Sequence, residues 1–455
     1  MSDIRNERRT FLKVLGAATA AGVSSQPLFS ALADPPVAPD EFFVFIHASG
    51  GWDVTVGLDP RNEARGIIDP ASTQWVDTAV LRNWRDATLD ADYETFEILQ
   101  PRGTNLRFGP AVGNLLNIAD RVTVINGLAM NTVSHPDGTF FVSTGRHLAG
   151  GRPAGASIDT VMANESGRAQ LFPSVSVSYP SAYVGNELDP RSAPLKMASI
   201  DSVSRVLTRA NVNTQAADRN AVTMMLTQEA RDLLARSYHP EVIEQFVLQY
   251  ESLPRMVRED FLGLFQTAGL QTAQPNFNYR ARFQSRGAVN AAFAVEAMKR
   301  NVVRCVSFSM GSLDTHGANY RTQPLVQQEL FDVVAQLVAS LDAAPHPTLR
   351  NERLSAHTHI LVVSDFCRTP QINMTGGRDH YPNGSALVIS PKFRGGFSFG
   401  SSDPDQLLPR VAGRFADGMR AVAPPDVLAT FVNAFGVNPR KYLRDGDVVR
   451  ELLRA

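Results

Sequence analysis

Six short, continuous apolar runs constrain this chain more than any other feature. Glu41-Phe42-Phe43-Val44-Phe45-Ile46-His47 ends at Gly50-Gly51. It is apolar without alternation and too short for an ordinary helix, which is how a strand buried on both faces of a parallel sheet reads. The stretches 121–125, 173–177, 302–308, 359–363 and 386–389 repeat the pattern. Between them fall helical patterns over Pro110 to Asp120, Ala288 to Arg300 and Gln323 to Asp342, the last with Leu325, Val326, Leu330, Val333, Val334, Leu337, Val338 and Leu341 on one face. This alternation predicts a three-layer α/β/α sandwich around a mostly parallel sheet, one large unit over residues 34–455. Residues from about 213 to 272 break the pattern with a mostly helical tract, either an inserted cap or a layer on the sheet's outer face.

Composition narrows the functional classes. The 455 residues are 44% apolar and 20% charged, which excludes disordered and collagen-like chains. With 44 basic against 45 acidic side chains there is no positive field for nucleic acid. Two cysteines, Cys305 and Cys367, exclude a disulfide scaffold and any multi-cysteine metal site. An oxidising compartment would permit a bridge between them, and two free buried thiols are the alternative.

The N-terminus reads as an address. Arg8-Arg9 stands before an apolar stretch from Val14 to Val23. This resembles a twin-arginine export signal, read by the twin-arginine translocase. The stretch is about half of the ~20 residues a bilayer-spanning helix needs, so no stable membrane anchor is expected. Ala31-Leu32-Ala33 offers the small residues of a cleavage site, placing the cut after Ala33 and the mature, mildly acidic protein in the periplasm or outside the cell. An amphipathic first helix with incidental arginines is the alternative.

Aspartates and histidines follow the ends of the apolar runs. Asp53 comes after the first, His135 after the second, Asp314 and His316 after the fourth, and Asp365 after the fifth; His380 lies in a Gly-rich loop ahead of Ala386. In a parallel sheet the strands' carboxyl ends share the edge where α/β folds bind ligands. Each residue alone has an ordinary use, Asp53 or Asp314 as a cap or Asx-turn and His316 or His380 as a satisfied loop histidine. Together, three carboxylates and up to three imidazoles need a compensating cation, and mixed nitrogen and oxygen donors suit Zn²⁺ or Mn²⁺, one or two ions.

These residues also carry a resemblance. Gly50-Gly51-Trp52-Asp53, Asp314-Thr315-His316, Ser364-Asp365-Phe366-Cys367-Arg368-Thr369-Pro370 and Gly376-Gly377-Arg378-Asp379-His380 are similar to the motif series of an uncharacterised bacterial family of twin-arginine-exported proteins, a domain of unknown function that resembles the alkaline phosphatase and sulfatase superfamily. The resemblance implies an alkaline-phosphatase-like fold holding metal around a nucleophile. Asp53 and Asp365 would serve one metal position, and Asp314, His316 and His380 the other. Thr144-Gly145 looks like the end of the nucleophile helix, and counting back nine residues reaches His135 rather than Ser or Thr. Phe366 stands where two-metal members carry histidine, and Asp314 and His316 are closer in sequence than the phosphatase pair. His135 is therefore a metal ligand, a general acid or base, or a nucleophile.

Gly396-Phe397-Ser398-Phe399-Gly400 matches the nucleophile elbow of α/β-hydrolases, but the last histidine, His380, precedes it, so the order of that triad fails. The sequence thus points to an exported metal-dependent hydrolase of small phosphate or sulfate esters with His135 at a non-standard catalytic position. The alternative is a non-catalytic exported protein that binds a metal or an oxyanion and assembles with another exported protein.

Overall fold

The computed structural model describes residues 40–61, 98–166, 170–202, 262–415 and 418–454, with 224, 225, 228 and 232. The signal-like segment 1–33 and most of the tract 213–272 lie outside the described residues. Contacts divide the chain into two compact units, one running from Met197 to Pro275 with the N-terminal residues, the other comprising Pro35–Lys196 and Asn276–Ala455.

All six apolar runs are strands of one sheet. Among the described residues the strands are, in chain order, β1 (Phe42–Ser49), β2 (Val122–Asn126), β3 (Phe172–Val177), β4 (Leu195–Met197), β5 (Val303–Gly311), β6 (Thr358–Ser364), β7 (Cys367–Arg368), β8 (His380–Tyr381), β9 (Ser385–Ile389), β10 (Phe397–Phe399) and a hairpin pair β11 (Gly413–Phe415) and β12 (Gly418–Arg420). The eight-stranded sheet has the order β10-β2-β9-β6-β1-β5-β3-β4, and β7 with β8 forms a separate two-stranded ribbon. β1 pairs in parallel with β5 and β6, β3 with β5, and β10 with β2, whereas β9 runs antiparallel between β6 and β2.

The helices are α1 (His135–Thr144), α2 (Ile158–Glu165), α3 (Thr267–Ala273), α4 (Ser285–Lys299), α5 (Asn319–Ala343) and α6 (Pro424–Asn433). Alternate residues Phe43 and Phe45 of β1 join Phe141, Val142, Ile158, Val161, Met162, Val427, Leu428 and Phe431, from α1, α2 and α6, in one buried core. Each such side chain contributes roughly 1.5–3 kcal/mol by leaving water. α4 packs on β5 and on α5, which lies against the segment 110–121. This is the three-layer α/β/α arrangement the alternation predicts. The segment Pro110–Arg121 is a kinked 3-10 stretch, not the expected regular helix: Gly113 sits at φ 48° and ψ −136°, outside helical space, and a Cβ there would stand 2.3 Å from Asp332 Oδ1.

Cys305 and Cys367 are free and buried. Ser398 lies within β10, its backbone N–H given to Asn105 Oδ1 at 2.6 Å, so the elbow-like motif is an edge strand. Among the described residues no helix is long and apolar enough to cross a membrane.

Candidate metal centre at the carboxyl edge

The topology explains why residues far apart in sequence meet. β1, β2, β5 and β6 point the same way, so the segments leaving them share one edge. β9 runs against them, and the residues ahead of it, including His380, therefore reach that same edge. α1 begins at His135 with Ser134 as its N-cap residue. A Cβ on Gly138 would stand 2.4 Å from the Asp365 carbonyl oxygen, so glycine is what lets the first turn of α1 close onto the end of β6.

His135, Asp314 and His380 form the one group among the described residues whose ligand atoms could share a metal ion, all lying within 4.8 Å of one another. Asp314 Oδ1 is 3.3 Å from His135 Nε2, 3.2 Å from His316 Nε2 and 3.4 Å from His380 Nε2, and the last two nitrogens are 2.9 Å apart. The edge of a ligand tetrahedron around an ion with ~2.0–2.1 Å bonds is about 3.3 Å.

The far side of each ring sharpens the picture. His135 Nδ1 pairs with Asp365 Oδ2 at 2.6 Å, His316 Nδ1 with Asp379 Oδ1 at 2.7 Å, and His380 Nδ1 with the Val133 carbonyl at 2.7 Å. A carbonyl or carboxylate can only accept, so each neutral ring carries its hydrogen on Nδ1 and turns an Nε2 lone pair towards Asp314. His135 Nε2 is buried without a hydrogen-bond partner, which leaves it open to a cation.

Electrostatics agrees with an ionised cluster. Partial burial works against the charge on Asp314, but the hydrogen bond and charge of Arg368, helped by His135 and His316, hold its carboxyl below the ordinary range. Arg368 is fully buried; it reaches Asp314 Oδ1 at 2.7 Å and the Gly51 carbonyl at 2.9 Å, and so fixes where that carboxylate points. Burial also opposes ionisation of Asp365, yet His47 and His135 outweigh it and keep its carboxyl well below the usual range. The hydrogen bond to Asp365 leads in raising the pKa of His135.

Asp53 and Asp365, assigned one metal position by the resemblance, engage separate partners. Asp365 accepts from His135, His47 and the Gly50 N–H. Asp53 is fully buried and caps the 3-10 turn Val54–Val56: Oδ1 takes the Thr55 N–H at 3.0 Å and the Thr55 hydroxyl at 2.6 Å, and Oδ2 takes Asn319 Nδ2 at 2.7 Å. Its counter-charge is Arg378, also fully buried, at 3.3 Å. This is the ordinary capping use weighed for Asp53 from sequence.

Residues 43–447 match the family described as a protein of unknown function, DUF1501. The chain belongs to the DUF1501 family. No curated protein matches it. Among solved structures the chain is similar to Ps i-CgsB in complex with k-i-k-neocarrahexaose, at 11% identity over 88% of this chain and 74% of that one, with a TM-score of 0.34. It is also similar to a Bacteroides thetaiotaomicron protein described under the metabolism of multiple glycosaminoglycans, at 10% identity over 88% and 74% with a TM-score of 0.30. A third is a TAB5 alkaline phosphatase variant with Mg bound in the M3 site, at 10% identity over 80% and 95% with a TM-score of 0.27. Likenesses this remote leave the chemistry of this DUF1501 member to be read from its own side chains.

Sequence reasoning passed over four residues that the structure ties to these networks. His47 lies inside the first apolar run, where a polar side chain in a buried strand was the available signal. Arg368, Arg378 and Asp379 lie within the quoted motifs, but the first two are buried guanidiniums whose partners, Asp314 and Asp53, no spacing rule supplies.

Proposed function

We propose that this protein is an exported, metal-dependent hydrolase of small phosphate or sulfate esters, with one principal ion held by His135, Asp314 and His380 and with His316 close enough to complete the set. The observation that carries this reading is that three imidazoles have their Nδ1 atoms anchored to acceptors while their Nε2 atoms converge on one carboxylate oxygen. Three nitrogens and one oxygen suit Zn²⁺, with Mn²⁺ the next choice. A divalent ion there would supply Lewis-acid polarisation of an ester oxygen.

The chain's own residues do the rest. Asp365, Asp379 and the Val133 carbonyl hold the three rings in one tautomer, and Arg368 aims Asp314. In this reading His135 is a ligand, because its Nδ1 is committed to Asp365 and its Nε2 faces Asp314. Thr139, one turn further along α1, gives its hydroxyl to Asp365 at 3.3 Å rather than to the cluster. The attacking oxygen then comes from solvent, for which the half-exposed Asp314 and His316 leave an approach.

A second reading is favoured by one observation: an imidazole stands at position 135, where the resembling hydrolases carry an attacking oxygen. The same cluster would then bind a metal or an oxyanion without turnover, for assembly with another exported protein. The deciding experiment is hydrolysis of aryl phosphate and aryl sulfate esters by the purified protein supplied with Zn²⁺ or Mn²⁺. The hydrolase reading expects turnover that falls at least ~10²-fold in both His135→Ala and Asp314→Ala. A metal-loaded wild type that is inert on all these esters but binds vanadate by calorimetry would establish the second reading instead.

A further inference from the structure

His47 lies beyond the cluster, one residue removed from any contact with its Nε2 atoms. It sits on β1 on the same face as Phe43 and Phe45, in register with Ser309 on β5 and Val363 on β6. It is 2% exposed, with the Tyr179 ring 5.4 Å away, centre to centre. A buried imidazole in an apolar strand is costly unless both its nitrogens are matched. Here Nε2 meets Asp365 Oδ1 and Nδ1 lies 3.4 Å from Ser309 Oγ. Asp365 therefore carries a histidine on each oxygen, His47 on Oδ1 and His135 on Oδ2.

We infer that His47 is a positioning residue for the metal centre: by holding Oδ1 of Asp365 it fixes Oδ2 against His135 Nδ1 and so keeps His135 Nε2 turned to the cluster. The inference rests on the metal-centre reading given above. Three features support it. The chain His47–Asp365–His135 is continuous, with the His135 link at 2.6 Å. The Asp365 side chain is 2% exposed, so water cannot substitute for a lost partner. The other contacts to its oxygens are longer, 3.0 Å from the Gly50 N–H and 3.3 Å from the Thr139 hydroxyl. Outer partners of this sort commonly tune metal affinity 10–100-fold.

The test compares two amides in the full mature chain. In His47→Gln the side-chain nitrogen reaches as far as Nε2 and can still donate to Asp365; in His47→Asn it reaches only as far as Nδ1 and cannot. Two readouts are taken, the tautomer of His135 by nitrogen-15 histidine NMR on metal-free protein at alkaline pH, where the ring is neutral, and Zn²⁺ affinity by competition with a chelator. The expected result is that Gln keeps His135 protonated on Nδ1 with affinity within about threefold of wild type, while Asn loses the single tautomer and about 10–100-fold in affinity. Equal behaviour of the two variants, whether both like wild type, both impaired or both unfolded, overturns the inference, because a merely space-filling role makes no distinction of reach. The NMR arm needs no ion, so it decides the role of His47 even where the wild type binds no Zn²⁺, which would instead sink the metal-centre reading.

Discussion

His316 Nε2 lies 2.9 Å from His380 Nε2. Both rings have their Nδ1 hydrogens committed elsewhere, to Asp379 and to the Val133 carbonyl, so in their neutral forms two lone pairs face each other. That arrangement is repulsive unless a proton or a metal ion lies between them. Under the metal-centre reading proposed above, an ion held beside the ionised Asp314 would relieve it.

The first expected outcome is stoichiometric metal. The purified protein should carry about one Zn²⁺ or Mn²⁺ per chain, and Asp314→Ala or His380→Ala should each strip it. Binding to the native state stabilises by mass action, ~2.7 kcal/mol when free ion is at 100 times its dissociation constant, so chelator should lower the melting temperature of the wild type and not of the variants. Elemental analysis with thermal melts is the check; metal-free wild type with a chelator-insensitive melt refutes it.

The pH dependence follows from His135. Its folded pKa is raised above the unfolded ~6.5, first by the hydrogen bond to Asp365, so its contribution to the metal-free protein is fully present below about pH 6.5 and is lost as pH rises through the raised value. Denaturant unfolding from about pH 5 to about pH 9 should show the advantage of wild type over His135→Ala shrinking with pH. Zn²⁺ affinity should move the opposite way, since the ion must displace that proton. An affinity flat over the same interval would remove His135 from the ligand set.

Much of this was legible in the sequence because strands buried on both faces are apolar throughout. All six runs became strands, and the rule that parallel strands share a carboxyl edge located His135, Asp314, His316 and Asp365. His380 comes to the same edge for a reason the sequence does not show, the antiparallel sense of β9. The surroundings of Asp53 were illegible for a different reason. Its position after β1 matches a ligand's, but spacing does not show the amide row it meets on α5: Asn319 donates to its carboxylate, Gln323 accepts its N–H and Gln327 donates to its carbonyl, four residues apart along one helix face. Buried guanidiniums such as Arg368 and Arg378 leave no periodic trace, since their pairing is set by tertiary contact alone.

Export is tested at the arginine pair. Arg8→Lys with Arg9→Lys removes the planar guanidinium forks while keeping both charges. The double variant is expected to stay in the cytoplasm, read by cell fractionation and immunoblot. Normal yield of that variant in the periplasm would show that the segment is not read as a twin-arginine signal.

Asp53 separates the two structural roles of carboxylates at this edge. It and Arg378 are both fully buried, and Arg378 also donates to the Thr55 hydroxyl at 3.2 Å and the Tyr320 hydroxyl at 2.6 Å. Burial works against the charge of Arg378 and Asp53 leads in offsetting it; a guanidinium is not deprotonated in a protein at ordinary pH, so Arg378 stays charged when Asp53 is gone. Removing one partner of a buried pair leaves an uncompensated charge and typically costs 3–5 kcal/mol. Asp53→Ala should therefore lower the unfolding free energy by about that much, on the same estimate, while bound metal per folded chain is unchanged. Asp314→Ala should instead lose its metal, and its cost to the metal-free fold comes from the buried Arg368, which keeps its hydrogen bonds to the Gly50 and Gly51 carbonyls. Should Asp53→Ala instead fold with near wild-type stability and lose its metal, Asp53 is a ligand after all, and the network with Arg378 and Asn319 is not its role in the working protein.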